Sequence, residues 1–313
     1  MFVITHRKIF YGISALIVGL SIVAISVWGV KFGIDFVGGS ILEVEYLESK
    51  TEKSIVIEYL NSLEFEQEFS IRETGDTGYI IRSTTITDGE KNEIISILGA
   101  QNSLEEIRFN TVGPTLGKEL VSKGILAFIV IIFSIIIFVA YTFRHVSKPV
   151  SSWKYGSVAI VAFVHDVLVP VGLFAFLGRF YGVEVDTLFI VAILVVLGYS
   201  INDTIVVFDR IRDNLKNVPE KKRKDQFESV VGKSLRQVFA RSINTSITTL
   251  IALLAIFIWG GDSTRWFSLA LVAGVLAGTY SSIFFASPML VSLSKMKPKP
   301  VKVEKVEVEE QNL

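Results

Sequence analysis

The chain has 313 residues, of which half are hydrophobic and 20% charged, with a formal net charge of zero and no cysteine. A soluble domain carries about a quarter charged residues, and here the apolar residues are gathered into long blocks. A cytosolic enzyme, a disulfide-stapled secreted domain and a disordered regulator are all excluded.

Four charge-free runs stand out, Ile9–Val30, Gly124–Phe143, Ser242–Gly261 and Trp266–Ser294, of 22, 20, 20 and 29 residues. Two more runs are broken only by isolated charges: Tyr155–Leu177 by His165 and Asp166, and Val185–Phe208 by Asp186 and Asp203. About 20 apolar residues rising 1.5 Å each cross the roughly 30 Å hydrocarbon core of a bilayer, so the pattern predicts six transmembrane helices. The first run follows His6-Arg7-Lys8 and has Ala24-Ile25-Ser26 as an A-x-A-like site. It is longer than the 7–15 residues of a usual signal-peptide apolar region and reads as an uncleaved span.

Charge sets the orientation. Lys and Arg number 2 before the first run, 3 in Arg144–Lys154, 10 in Asp209–Arg241 and 5 after Ser294, against one in each opposite short loop, Arg179 and Arg265. By the positive-inside rule both termini are expected in the cytoplasm. Lys31–Lys123, with 9 basic and 17 acidic residues, is then exoplasmic.

The segment after the first span is Gly33-Ile34-Asp35-Phe36-Val37-Gly38-Gly39. It lacks the strand-to-helix context of a nucleotide fingerprint and reads as a hinge, with Gly33, Asp35, Gly38 and Gly39 as its key positions. Beyond it Ile41–Leu47 alternates like a strand. Thr51–Leu63 has Ile55, Tyr59 and Leu63 at helical spacing, with Thr51 as the expected cap. Phe69–Thr74 and Tyr79–Thr84 read as a hairpin around Gly75-Asp76-Thr77-Gly78, Asp88–Leu98 as a second helix, and Leu104–Val112 as a closing strand. The order β-α-β-β-α-β predicts a small ferredoxin-like α+β domain on a polytopic α-helical membrane protein. The domain boundaries are placed at 33–120, with the spans filling 1–32 and 121–294. No metal cluster, nucleophile–base set or phosphate loop is present, so no enzyme activity, metal or cofactor is expected.

Ionisable residues inside a span cost at least about 2.5–3.5 kcal/mol and mark partner contacts or ion paths. Asp203 lies six residues, roughly 9 Å, before Asp209 at the cytoplasmic end of the fourth span. Arg241 opens the fifth span at a similar depth, so the two are expected to pair. The pair admits two readings: a static bond between two helices, or a protonatable site lined by Asn202, Thr204, Asn244 and Thr245, with Thr248 and Thr249 along the same stripe. His165-Asp166, near the midplane of the third span, is either a second relay or a buried polar anchor, and Pro170 one turn on is expected to kink that helix. Asp186 and Glu184 are interfacial. Ala270, Gly274, Gly278 and Ser282 form a small-residue stripe for close packing, with Gly274 and Gly278 as its tightest points, within the chain or against a partner. Gln226–Phe239 reads as an amphipathic helix on the inner membrane surface, and 295–313, rich in Pro, Lys, Glu and Val, as a disordered tail.

Four motifs taken together resemble those of the SecF branch of the SecD/SecF family, within the resistance–nodulation–division (RND) superfamily: GIDFVGG at 33–39, VGPTLGKEL at 112–120, GYSINDTIVVFDRIR at 198–212 and RSINTSITT at 241–249. They fall in the family's order across nearly the whole chain. The resemblance implies six spans in a bacterial cytoplasmic membrane and a role beside the Sec channel in completing polypeptide export at the expense of an ion gradient, with protons as the expected ion. It implies a six-span companion, SecD, the SecYEG channel and the translocating polypeptide as partners, with YajC and YidC as further candidates, surrounding membrane lipid and no nucleic acid. The family's essential intramembrane Asp and Arg fall on Asp203 and Arg241.

Overall fold

The computed structural model describes residues 2–63, 65, 67, 69–100, 102–142 and 150–295. A short N-terminal turn α1 (Phe2–Thr5) leads into α2 (Arg7–Trp28), then the linker helix α3 (Ile34–Val37). The sheet domain follows as β1 (Gly39–Tyr46), α4 (Lys53–Ser62), β2 (Ser70–Thr74), β3 (Gly78–Ser83), α5 (Asp88–Leu98) and β4 (Leu104–Val112). The remaining helices are α6 (Pro114–Thr142), α7 (Ser152–Tyr181), α8 (Thr187–Lys216), α9 (Arg223–Trp259), α10 (Asp262–Tyr280) and α11 (Ser287–Lys295). A π-helical segment, Ser281–Ala286, fuses α10 to α11, so that among the described residues six helical rods are long and apolar enough to cross a bilayer. The expected tail beyond Lys295 lies outside the described residues.

The four strands are antiparallel in the order β2-β3-β1-β4, with α4 and α5 on one face. Alternation on β1 explains the layering. Leu42, Val44 and Tyr46 point at the helices and pack with Tyr79, Ile81, Val56, Leu60, Ile94 and Leu98. The buried line of α4 runs through Val56 and Leu60, with Ile55, Tyr59 and Leu63 flanking it. Thr51 does not cap α4; Glu52 occupies that position. The Thr51 hydroxyl instead accepts from Asn102 Nδ2 at 3.2 Å and its carbonyl from the buried Tyr79 hydroxyl at 2.7 Å, which draws it into the core.

The other face of the sheet lies over one end of the helical bundle. Arg72 Nη1 donates to Gly182 O at 3.3 Å, and Arg82 pairs with Glu184, which also meets Lys31 at 3.4 Å. A cavity of about 350 Å³ lies beside these bonds, lined by Asp35, Arg72, Arg82, Arg108, Glu184, Asp186 and Arg265 among others. The glycine linker is bound into this junction. Gly38 and Gly39 have φ of 79° and 127°, and a Cβ on Gly39 would stand 2.6 Å from Ser83 O, so no other residue fits there without strain.

One expectation about the bundle is revised and one open alternative is decided. Gln226–Phe239 is no separate surface helix but the first part of α9, 37 residues long, or roughly 55 Å. Nothing in the sequence there breaks a helix, and its apolar face is buried on protein. Phe227, Val231 and Leu235 pack with Phe208, Ile211 and Leu215 of α8 and with Leu290 and Val291 of α11. The paired ends of α8 and α9 therefore project past the hydrocarbon core on the side away from the sheet. The small-residue stripe is settled as an internal contact. A Cβ on Gly274 would come within 2.1 Å of Val196 Cγ2, and one on Gly278 within 2.9 Å of Ser200 Cβ, so α10 lies directly on α8.

Candidate functional site

Hydroxyls and carboxyls from four helices meet midway along the bundle. α8 contributes Tyr199, Ser200, Asp203 and Thr204 at helical spacing; α7 contributes His165 and Asp166; α9, Ser242 and Ser246; the α10 rod, Thr279, Ser281 and Ser282. Each serine or threonine in such a place finds a partner because an unpaired hydroxyl in apolar surroundings is costly. Thr204 Oγ1 lies 2.8 Å from Ser282 Oγ, Ser246 Oγ lies 2.6 Å from Thr279 Oγ1, and the Tyr199 hydroxyl donates to Ser246 at 3.0 Å.

Asp166 is completely buried and its acceptors are filled. His165 Nδ1 lies 2.9 Å from Oδ1, while Ser200 Oγ and Ser281 Oγ donate to Oδ2 at 2.5 and 2.8 Å. The His165 ring is stacked by Tyr280 and Phe285 at 5.9 and 5.8 Å. Asp166 thus ties α7, α8 and the α10 rod together.

Asp203 is held differently. It is partly buried; Oδ1 accepts from Ser242 Oγ at 2.5 Å, and Oδ2 is buried next to Ser282, with no hydrogen bond of ordinary geometry among the described residues. The expected ion pair with Arg241 is not made among the described residues. Adjacent residues on a helix differ by about 100° in direction, and Ser242 takes the position facing α8 while Arg241 is exposed. Asn202, Asn244 and Thr245 are exposed as well, and Thr204, next to Asp203 in the chain, is buried. With Thr248 they form a polar strip along an otherwise apolar flank of α8 and α9.

The π-helical segment Ser281–Ala286 was not read from the sequence, although it decides where Ser281 and Ser282 point. Its trace is the Ser287-Pro288 pair inside an apolar run. Proline has no N–H for the preceding turn, and Ser287 Oγ donates to Ser282 O at 2.8 Å, five residues back. The widened turn lets consecutive serines reach Asp166 and Thr204, and such turns recur at functional positions. No group of three or more His, Asp or Glu side chains able to hold a metal occurs among the described residues.

The hinge residues gather at the sheet end of α8. Gly33 N donates to Val185 O, and Val185 N to Lys31 O, both at 2.8 Å. Asp35 Oδ2 accepts from Thr187 N at 2.8 Å, and Asp186 Oδ1 from Phe189 N at 2.9 Å.

A midplane carboxyl cluster under a glycine-linked sheet domain has relatives. The model for the SecD/SecF protein-export membrane protein C-terminal region matches residues 94–296, and the SecD/SecF GG motif matches 23–46. The SecF translocase subunit of Thermobaculum terrenum is 38% identical, covering 93% of each chain. The chain belongs to the SecF family of protein-translocase subunits. The SecF subunit of Vibrio alginolyticus is 33% identical over 95% of this chain and 92% of its own. The crystal structure of SecDF, a translocon-associated membrane protein from Thermus thermophilus, superposes with a TM-score of 0.79 at 28% identity, and a super-membrane-facing form of SecDF with 0.60. This chain covers 94% of itself but 38% of the first SecDF chain. As in other SecF proteins, protein export is its field of action, as a multi-pass membrane subunit.

Proposed function

We propose that this SecF chain, joined to a SecD-type companion, lets an ion gradient drive the late stage of polypeptide export through the SecYEG channel, and that Asp203 is the group that takes up and releases the proton. The observation that carries this reading is the state of Asp203: a carboxyl in an apolar helix with one oxygen bonded to Ser242 and the other buried beside Ser282 with no well-formed bond among the described residues. A static pair would have both charges in contact, and Asp203 and Arg241 form no such contact among the described residues. The reading places both termini in the cytoplasm and the sheet domain on the far side, following the basic segments of the sequence. Arg241, Asn202, Asn244, Thr245 and Thr248 are costly to expose to lipid, so this strip is the surface that receives the companion's helices, and Arg241 meets an acidic group there.

Moving one charge through 100 mV releases about 2.3 kcal/mol. That biases a two-state equilibrium by a factor of tens but does not invert a strongly skewed one, so several protons accompany each advance of the substrate. No bond-breaking step is involved. The GG linker passes the change in helix packing to the sheet domain, which holds the emerging chain.

The test is translocation in vesicles containing the companion and the channel, with and without a proton gradient. Asp203→Asn is expected to assemble at wild-type abundance and lose the gradient-stimulated part of the rate, while Asp203→Glu retains some of it. Full stimulation by Asp203→Asn at wild-type abundance would falsify the assignment.

A further inference from the structure

The end of α8 nearest the sheet carries two carboxylates where one suffices. Asp186 is the helix's own N-cap, accepting from Phe189 N. The second carboxylate comes from 152 residues away: Asp35, in the middle of the linker helix α3, accepts from Thr187 N at 2.8 Å. Positive partial charge at the amides of a helix start favours both bonds. The two carboxylates also border the same cavity, so their like charges stand against this arrangement. Asp35 is therefore not needed to finish the helix, and its contact is set against a like charge.

The contact joins a long helix of the bundle to the linker that enters the sheet. On one side α8 is a single uninterrupted helix from Thr187 to Lys216. Asp203 sits 16 residues into it, roughly 24 Å by helical rise. On the other side Asp35 stands three residues before Gly38, where the backbone turns through two positive-φ glycines into β1. The flanking bonds between Gly33, Lys31 and Val185 hold the linker to the loop before α8, whereas the Asp35 bond holds it to the helix itself. The 350 Å³ cavity bordered by Asp35, Arg72, Arg82 and Asp186 leaves room for the sheet to shift against the bundle.

We propose that Asp35 is the positioning residue that transmits displacement of α8 to the sheet domain, through its bond to the Thr187 amide. This rests on the reading above in that Asp203 sets the displacement. Two variants break the bond from opposite ends. Asp35→Ala removes the acceptor. Thr187→Pro removes the donor and leaves Asp35 in place; proline is accepted at the first position of a helix, and Asp186 before it is already extended. Asp35→Asn keeps an oxygen in the same place.

In the same vesicle assay, both Asp35→Ala and Thr187→Pro should assemble at wild-type abundance and keep the gradient-independent rate. Each should lower the gradient-stimulated rate about fivefold, the equilibrium factor that a helix-cap bond typically carries. Asp35→Asn should restore most of it. Amide exchange supplies a readout that a merely structural role would not move. In the wild type, applying the gradient should alter protection at both 187–190 and 39–46; in Asp35→Ala, only at 187–190. Wild-type stimulation by both bond-breaking variants, or a persistent response at 39–46, overturns the proposal. If these variants lose stimulation while Asp203→Asn keeps it, the linker contact stands and the Asp203 assignment falls. If Asp203→Asn loses stimulation and they do not, the reverse holds.

Discussion

Asp166 and Asp203 are both acids in the middle of a membrane bundle, and their hydrogen bonds separate their roles. With Asp166 filled by His165, Ser200 and Ser281, removing it takes the partner from buried His165 and Ser200 and leaves Ser281 only Gly278 O. We expect Asp166→Ala to destabilise the bundle by about 3 kcal/mol, the scale of breaking a buried charged hydrogen-bond set, seen as a lower thermal unfolding midpoint in detergent. Asp203→Asn, by contrast, should leave that midpoint nearly unchanged, since an amide oxygen can keep the Ser242 bond. In the sheet domain, Glu90 completes a capping box with Thr87. The Thr87 amide, and then its hydroxyl, hold the Glu90 carboxyl below the usual range. A depressed folded value means stability present above the unfolded value of about 4.3 and lost as pH falls below it. Acid titration of unfolding should show this loss, and Glu90→Gln should flatten it.

Among the elements, α8 and α10 depend on closeness. A methyl on Gly274 would collide with Val196, which is itself fully buried. Gly274→Ala is therefore expected to cost about 1–3 kcal/mol through overpacking, and the double change with Val196→Ala to recover part of it. A thermal unfolding series of the three variants measures the coupling. If Gly274→Ala proves neutral, the α8–α10 contact is looser than the backbone spacing indicates. The π-helical turn works in the same contact: it sets Ser281 and Ser282 against α7 and α8, so α10 is bonded to both carboxyl-bearing helices. Any rotation of α8 must break or remake the Thr204–Ser282 bond.

The described residues form a sheet domain resting on a bundle of six long helices. The sheet domain has its own core between β1, β3, α4 and α5, so residues 40–112 are expected to fold as an isolated α+β unit with cooperative unfolding. A fragment whose circular dichroism is all helical, or that melts without cooperativity, would count against this. On the reading proposed above this bundle is half of a larger one: a polar strip with Arg241 is exposed, and α6 buries almost none of its surface. Purification in mild detergent should yield a six-span companion in stable association. A functional chain recovered without one would sink the half-bundle reading.

The spans, the strand–helix order of the sheet domain and the motif-bearing segments were legible in the sequence because they rest on local quantities: runs of apolar residues, alternation, and glycines at fixed places. Asp203 was legible too, since a charge in an apolar run needs no neighbour to be conspicuous. Only the tertiary structure decided which groups meet. Whether Arg241 or Ser242 faces Asp203 turns on the rotation of one helix about its axis, a matter of about 100° per residue that two antiparallel patterns leave open. Whether Gln226–Phe239 lies on a membrane or on α8 depends on what covers an apolar face, and composition is the same in both cases. The Asp35–Thr187 bond joins residues 152 positions apart, and the π-helical turn follows from where Ser287 and Pro288 fall against α7 and α8. Local pattern determines what each segment buries; long-range packing chooses the partner.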